Sequence, residues 1–167
     1  MDKKVLIAYG SWAGSTAEVA ESVAHTLQEA GLDAIACPAR TVSDLSPYRA
    51  VVLGSAVRMG KLHKSIPSFI SRHKTVLSQM PVACFLVCLT MKEDTEENRC
   101  TAENYLKPLL NKYGILPVTQ GLFAGVMDLK KLAFPFGNIM KAAKLEEEDY
   151  RDPDAIRSWA LSLVTKF

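Results

Sequence analysis

The stretch LIAYGSWAGSTAEVAESV, residues 6–23, carries three kinds of residue in succession. Val5 to Tyr9 is apolar, as a buried strand is, and Gly10 to Ser15 is mostly small and hydroxylated. From there Val19, Val23 and Leu27 recur at helical spacing within a helix expected over Ala17 to Ala30, which Gly31 ends. Strand, tight loop and helix start is the order that builds an anion site, because a helix N-terminus presents unpaired N–H groups and the positive end of its dipole. Gly10 and Gly14 let the chain turn and approach a ligand closely, while Ser11, Ser15 and Thr16 add hydroxyl donors.

The same alternation continues on the C-terminal side. Leu32 to Cys37 and Tyr48 to Ser55 read as the second and third strands. Ser65 to Leu77 reads as a helix with Ile66, Phe69, Ile70 and Leu77 on one side, and Pro81 opens a fourth strand, Val82 to Leu89. A helix follows in ENRCTAENYLKPLLNKYG, strained at Pro108 and stopped at Gly114, before a fifth strand from Pro117 to Ala124. The last helix starts near Asp152, with Pro153 in its first turn and Ile156, Trp159, Ala160 and Leu163 facing inward. Strands separated by helices of this length imply right-handed crossovers and a mainly parallel sheet covered on both faces. Such strands are almost continuously apolar, as AVVL and FLVCL are. The expected fold class is therefore α/β, a three-layer αβα sandwich on a parallel five-stranded sheet.

At 167 residues the chain is long enough for one core, so a single domain over 1–167 is expected, with one irregular segment inserted at about 126–150. No apolar run reaches the roughly 20 residues of a membrane-spanning helix, and Met1 to Lys4 lead into a strand without a signal-peptide pattern, so a cytoplasmic location is expected. A net charge of +2 falls far short of the concentrated basic character of nucleic-acid binders, and no nucleic-acid partner is expected. Cys37, Cys84, Cys88 and Cys100 form no CxxC pair and have no histidine at metal-ligand spacing; even spacing on a strand puts Cys84 and Cys88 on one buried face, where they read as small core residues in a reducing compartment, and no metal site is expected.

The loop SWAGST is not a Walker A motif, since the lysine before the final Ser/Thr is absent and Gly10 to Gly14 is too short a spacing. Nor is it the dinucleotide fingerprint, because Trp12 stands where a glycine is required. A lysine-free, hydroxyl-rich loop suits a monophosphate held by backbone amides. A second loop supports a ligand at this edge of the sheet: the third strand runs into GSAVRMGKLHKS, where Gly54 and Ser55 echo Gly10 and Ser11, and small and flexible residues continue to Gly60. Arg58 and Met59 can lie along a flat heterocycle there, with backbone amides reaching its ring atoms. His63, just beyond, reads as a capping or solvated histidine, with proton donation as the alternative.

On these motifs the chain resembles the flavodoxin family, whose loop reads broadly T/S-x-T-G-x-T; Ser11, Gly14 and Thr16 keep the pattern and Ala13 departs from it. The resemblance implies a flavodoxin-like sheet of order 2-1-3-4-5, for which flavodoxin is the standard example, with the ligand at the ends of the first and third strands. It implies FMN as cofactor, its phosphate held by Ser11, Trp12, Ala13, Gly14, Ser15 and Thr16. Ser55, Ala56, Val57, Arg58, Met59 and Gly60 would lie at its ring, with Leu89, Thr90 and Met91 as the other wall. Gly60 is implied as the glycine whose peptide can flip on reduction. No catalytic side chain is implied, because the chemistry belongs to the flavin.

The segments GSAVRMGKLHKSIPSFI and EDYRDPDAIRSWA, with the insertion between the fifth strand and the last helix, look like the branch related to the quinone-dependent protoporphyrinogen oxidase. Ordinary electron-carrying flavodoxins are typically acidic, whereas this chain is slightly basic. Three functions stay open: an FMN-binding redox protein moving electrons from an unknown donor to an acceptor such as a quinone, an oxidase-type enzyme of that branch, and a flavin-free interaction module. Leu129, Leu132, Phe134, Phe136, Ile139 and Met140 alternate with Lys130, Lys131, Lys141 and Lys144, so about 129–144 is a candidate for peripheral membrane contact, sheet cover or a homodimer contact.

Overall fold

The structure is a computed structural model that describes residues 3–127 and 148–167. The segment 129–144, expected to make membrane or dimer contacts, and most of the insertion at about 126–150 lie outside the described residues. The strands are β1 (Lys4–Gly10), β2 (Ala34–Pro38), β3 (Tyr48–Arg58), β4 (Lys61–Leu62), β5 (Val82–Val87), β6 (Gln120–Phe123), β7 (Val126–Met127) and β8 (Glu148–Asp149). The helices are α1 (Ser15–Glu29), α2 (Ser65–Leu77), α3 (Glu96–Tyr113) and α4 (Pro153–Ser162). Among the described residues, no helix is long and apolar enough to cross a membrane.

Five strands pair in parallel in the order β2-β1-β3-β5-β6. Counted as parallel strands alone this is the order 2-1-3-4-5, and the expected flavodoxin-like αβα sandwich is the observed fold. Successive strand residues point to opposite faces, which divides the apolar runs between two cores. Val5, Ile7, Val52 and Phe85 pack with Val19, Val23 and Leu27 of α1 and with Ile156 and Ala160 of α4. Leu6, Ala8, Val51, Leu53, Cys84 and Leu86 pack with Ile66, Phe69 and Ile70 of α2 and with Leu106 and Leu110 of α3.

Helix ends follow local chemistry. Thr95 caps α3 by accepting from the Asn98 N–H, and Gly114 ends it at φ 65°. Asp152 caps α4 by accepting from the Asp154 and Ala155 N–H groups, with Pro153 at its start. Pro108 leaves α3 unbroken: the proline is exposed, and the buried Leu106 and Leu110 anchor the helix on both sides of it.

The sequence places a flexible loop after Ser55, whereas β3 continues to Arg58 and turns back into β4. Val57 pairs with Leu62 and Arg58 with Lys61, so Met59 and Gly60 form a two-residue hairpin turn. Both have positive φ, 51° and 73°, as a turn matching the right-handed strand twist requires. Here β3 overshoots its parallel neighbours, and β4 occupies the edge this would expose.

Candidate functional site

The register brings the strand ends to one level: Gly10 lies opposite Ser55, Ala56 opposite Val87, and Val87 opposite Phe123. An open cavity of about 320 Å³ sits at this edge. Ser11, Trp12, Ala13 and Ser15 line it from the first loop, Ala56, Val57, Arg58, Met59 and Gly60 from β3 and its hairpin, and Leu89 and Thr90 from the end of β5. Carboxyl ends of parallel strands where the winding reverses are where an open α/β sheet leaves a crevice, since the helices depart to opposite faces.

The loop is held in shape by its own hydrogen bond, the Gly14 N–H donating to Ser11 Oγ at 2.9 Å. Gly14 adopts φ 96°, a conformation a side chain would strain, and no side chain caps α1. The N–H groups of the first turn are thus left for a ligand. Behind them Thr16 is fully buried, and its hydroxyl oxygen has no hydrogen-bond partner among the described residues. A buried hydroxyl without a partner costs free energy, so its place under an uncapped helix start fits an anion such as a phosphate.

Ser55 and Met91 stand behind the lining. The Ser55 hydroxyl donates to the Ala56 carbonyl at 2.8 Å and accepts from the His63 N–H at 3.0 Å, which fastens β3 to the approach of α2. Met91 is buried with Cys88 and Ala102 beneath the short turn Leu89–Lys92. Trp12 is 38% exposed and lies between two cationic or titratable groups. The Arg58 guanidinium is 4.7 Å from its ring centre and the His63 ring is 4.8 Å away, tilted at 55°. Burial lowers the Arg58 pKa. Burial also lowers that of His63, and the nearby charges of Lys64, Arg40 and Arg58 lower it further, so the imidazole is neutral at pH 7. Its Nδ1 lies 2.8 Å from Ser65 Oγ, and it lines a neighbouring cavity instead of this one.

Val87, Cys88, Tyr105, Gly125 and Val126 also line the cavity, and none of them is among the site residues expected from the sequence. The Tyr105 hydroxyl is 3.1 Å from Thr90 Oγ1, and its ring would lie 3.7 Å from a Cβ placed on Gly60. An available signal was the aromatic beside the buried stripe Ala102, Leu106 and Leu110 of a helix that departs from the ligand edge. Gly125 follows the fifth parallel strand, where a Cβ would stand 3.1 Å from the Val87 side chain. All four cysteines are free thiols. Burial raises the Cys88 pKa and pushes that of Cys84 up to about 12, so neither is a thiolate at neutral pH. Among the described residues the lining therefore offers no activated nucleophile; it is an apolar slot beside the uncapped start of α1.

Among known proteins, the family described as "Flavodoxin domain" matches residues 6–154. A relative named protoporphyrinogen IX dehydrogenase (quinone), from Leishmania major, is 28% identical over 129 residues, which cover 74% of this chain and 54% of that protein. The chain thus matches about half the length of that relative. Oxidised Flavodoxin 2 from Bacillus cereus superposes with a TM-score of 0.62 at 22% identity, covering 98% of this chain and 99% of that one. A flavoprotein in complex with FMN from Lactobacillus acidophilus NCFM gives a TM-score of 0.53 at 17% identity, covering 72% of this chain and 93% of its own. At these identities the two structures speak to the fold.

Proposed function

The chain belongs to the flavodoxin domain family, and from that premise we propose that it is an FMN-dependent redox protein, taking electrons from a reduced donor and delivering them to an acceptor, with a quinone as the candidate acceptor. FMN supplies the chemistry when bound, accepting and releasing electrons at its ring. The chain's own residues bind and orient. The first-turn N–H groups of α1 and the Ser15 and Thr16 hydroxyls hold the phosphate, with Ser11, Trp12, Ala13 and Gly14 shaping the loop around it. Ala56 to Gly60 on one side, and Leu89, Thr90 and Tyr105 on the other, form walls for a flat ring and limit the access of water. Ser55 and Met91 support those walls from behind.

The observation that carries this reading is the buried, unpartnered Thr16 hydroxyl beneath the uncapped start of α1. The test is the visible absorption of the purified protein before and after adding FMN, followed by dithionite reduction and addition of a quinone. A bound-flavin spectrum that bleaches and is then restored by quinone is the expected result. Absence of colour and of FMN binding would overturn the proposal and leave an interaction module that keeps the fold.

One observation favours a narrower reading. The Leishmania major relative carries the name of a protoporphyrinogen dehydrogenase using quinone, and a substrate class shared with it would make this chain an enzyme of the same type. Anaerobic mixing of the FMN-loaded protein with protoporphyrinogen IX and a quinone tests it through the appearance of porphyrin fluorescence. Normal flavin reoxidation by quinone without porphyrin formation would reject the enzyme reading and retain the broader one.

A further inference from the structure

A second open cavity, of about 640 Å³, adjoins the first, and Ser11 and Trp12 line both. Gly14 and Ala17 at the start of α1 line it too, and the walls that the first cavity does not share include Arg40 in the turn Ala39–Thr41 that follows β2, and His63, Lys64, Ser65 and Arg72 in and before α2. Gly10 is what allows these walls to meet, because a Cβ there would lie 2.6 Å from Ser65 Oγ and 2.7 Å from His63 Nδ1.

Among the described residues the lining contains three cationic side chains, Arg40, Lys64 and Arg72, and no carboxylate. Elsewhere, arginines meet acids: Arg99 with Asp94, Arg151 with Asp149 and Arg157 with Glu29. Among the described residues neither Arg40 nor Lys64 forms such a pair. Arg72 is held in place by donating to the Ala39 and Val42 carbonyls at 3.4 and 3.2 Å, and this ties α2 to the turn that carries Arg40. The Lys64 side chain does not cap α2 and the Ser65 N–H donates to His63 Nδ1 at 3.3 Å, while the N-terminal dipole of α2 adds to the same positive field. That field is already felt by His63, whose pKa is lowered by burial first and then by Lys64 and Arg40.

We propose that this second cavity binds a small polyanionic molecule, a phosphate ester or a polycarboxylate, with Arg40, Lys64 and Arg72 holding its anionic oxygens while the first cavity remains available to its own ligand. Three cations on two separate elements suit more than one anionic group, and a cavity of this size exceeds what a single phosphate fills. Trp12, as the shared wall, would place the two ligands side by side.

The test is calorimetric titration of the FMN-saturated protein with pyrophosphate and with citrate, repeated on the double variant Arg40→Gln/Lys64→Gln. One equivalent of probe is expected to bind, at least tenfold more weakly in the double variant and more weakly as salt rises, with FMN affinity unchanged. Preference for pyrophosphate assigns a phosphate ester, and preference for citrate a polycarboxylate. The proposal is overturned if neither probe binds, if the double variant binds equally well, or if FMN displaces the probe, which would put the probe in the α1 loop. Should the chain bind no FMN, the same titration of the protein as purified still decides the anion site, and only the flavin reading fails.

Discussion

Replacing Thr16 by valine separates a ligand-binding hydroxyl from a structural one, because the two roles give opposite signs in the ligand-free protein. The side chain is fully buried and its oxygen has no partner, so the methyl group of valine fills the same volume and removes an unsatisfied polar atom. Leaving a buried hydroxyl unpaired costs about 1 to 3 kcal/mol. Recovering about 1 kcal/mol of this would raise the melting temperature of the ligand-free protein by about 2 to 4 °C for a domain of this size. Valine and threonine are both β-branched with similar helix propensity, so the first turn of α1 is otherwise unchanged. In the FMN complex the hydroxyl would donate to a charged phosphate, a bond worth about 1.5 to 3 kcal/mol, so affinity should fall by about 10- to 150-fold. Thermal denaturation without ligand and fluorescence titration of FMN measure the two effects. Unchanged FMN affinity together with a less stable ligand-free protein would show that Thr16 has a partner in solution and does not reach the phosphate.

Other expectations follow from packing and charge. In Gly54→Ala the new Cβ would stand 2.1 Å from the Phe85 ring, which is buried against Phe123 and Trp159 and has nowhere to move. Denaturant unfolding should show a loss at the upper end of the roughly 1 to 3 kcal/mol typical of overpacking, and a loss under 0.5 kcal/mol would contradict this packing. Thiol titration with a disulfide reagent at pH 8 should modify the exposed Cys100 first and reach Cys84, whose pKa is pushed up to about 12, only on unfolding. Rapid labelling of Cys84 in the folded protein would contradict its burial. Arg151 hydrogen-bonds Asp149 at 2.7 Å and also meets Glu18 of α1, and the bond to Asp149 holds that carboxyl below its ordinary range. A depressed carboxyl contributes stability above its unfolded pKa of about 3.9 and loses it as pH falls through the lower folded value. Arg151→Met should therefore be less stable than the parent at pH 7, by under about 1 kcal/mol for so exposed a pair, and the gap should close toward pH 2. A gap that stays constant across that range would assign the loss to packing.

Much of the architecture was legible because its signals are local. An apolar run of five residues beside Gly10, the helical spacing of Val19, Val23 and Leu27, and Pro153 after Asp152 each report on their own element. Helices between parallel strands then limit the topology to right-handed crossovers. The edge that carries the candidate site was legible for a similar reason, since every parallel strand delivers the loop that follows it to the same end of the sheet. Ser11, Trp12, Ala13, Ser15, Ala56 to Gly60, Leu89 and Thr90 accordingly surround one cavity.

What escaped the sequence depends on pairing between distant residues. VRMGKL has the composition of a flexible loop, and it became a hairpin because β3 runs past β5 and leaves an edge for Lys61 and Leu62 to pair. Tyr105 carries no motif; it joins the cavity because α3 packs where its hydroxyl meets Thr90. Nothing adjacent in the chain links Arg40 to Lys64 and Arg72, and they share a cavity because α2 packs on the turn after β2, where Arg72 donates to the Ala39 and Val42 carbonyls. Local periodicity and turn chemistry were enough for the order of elements, the parallel sheet and the tight loop before α1, since each is encoded within a few neighbouring residues. The burial of Thr16, the course of the β3 hairpin and the convergence of three cations came from packing, since burial and field strength are sums over groups that meet only when the chain is folded.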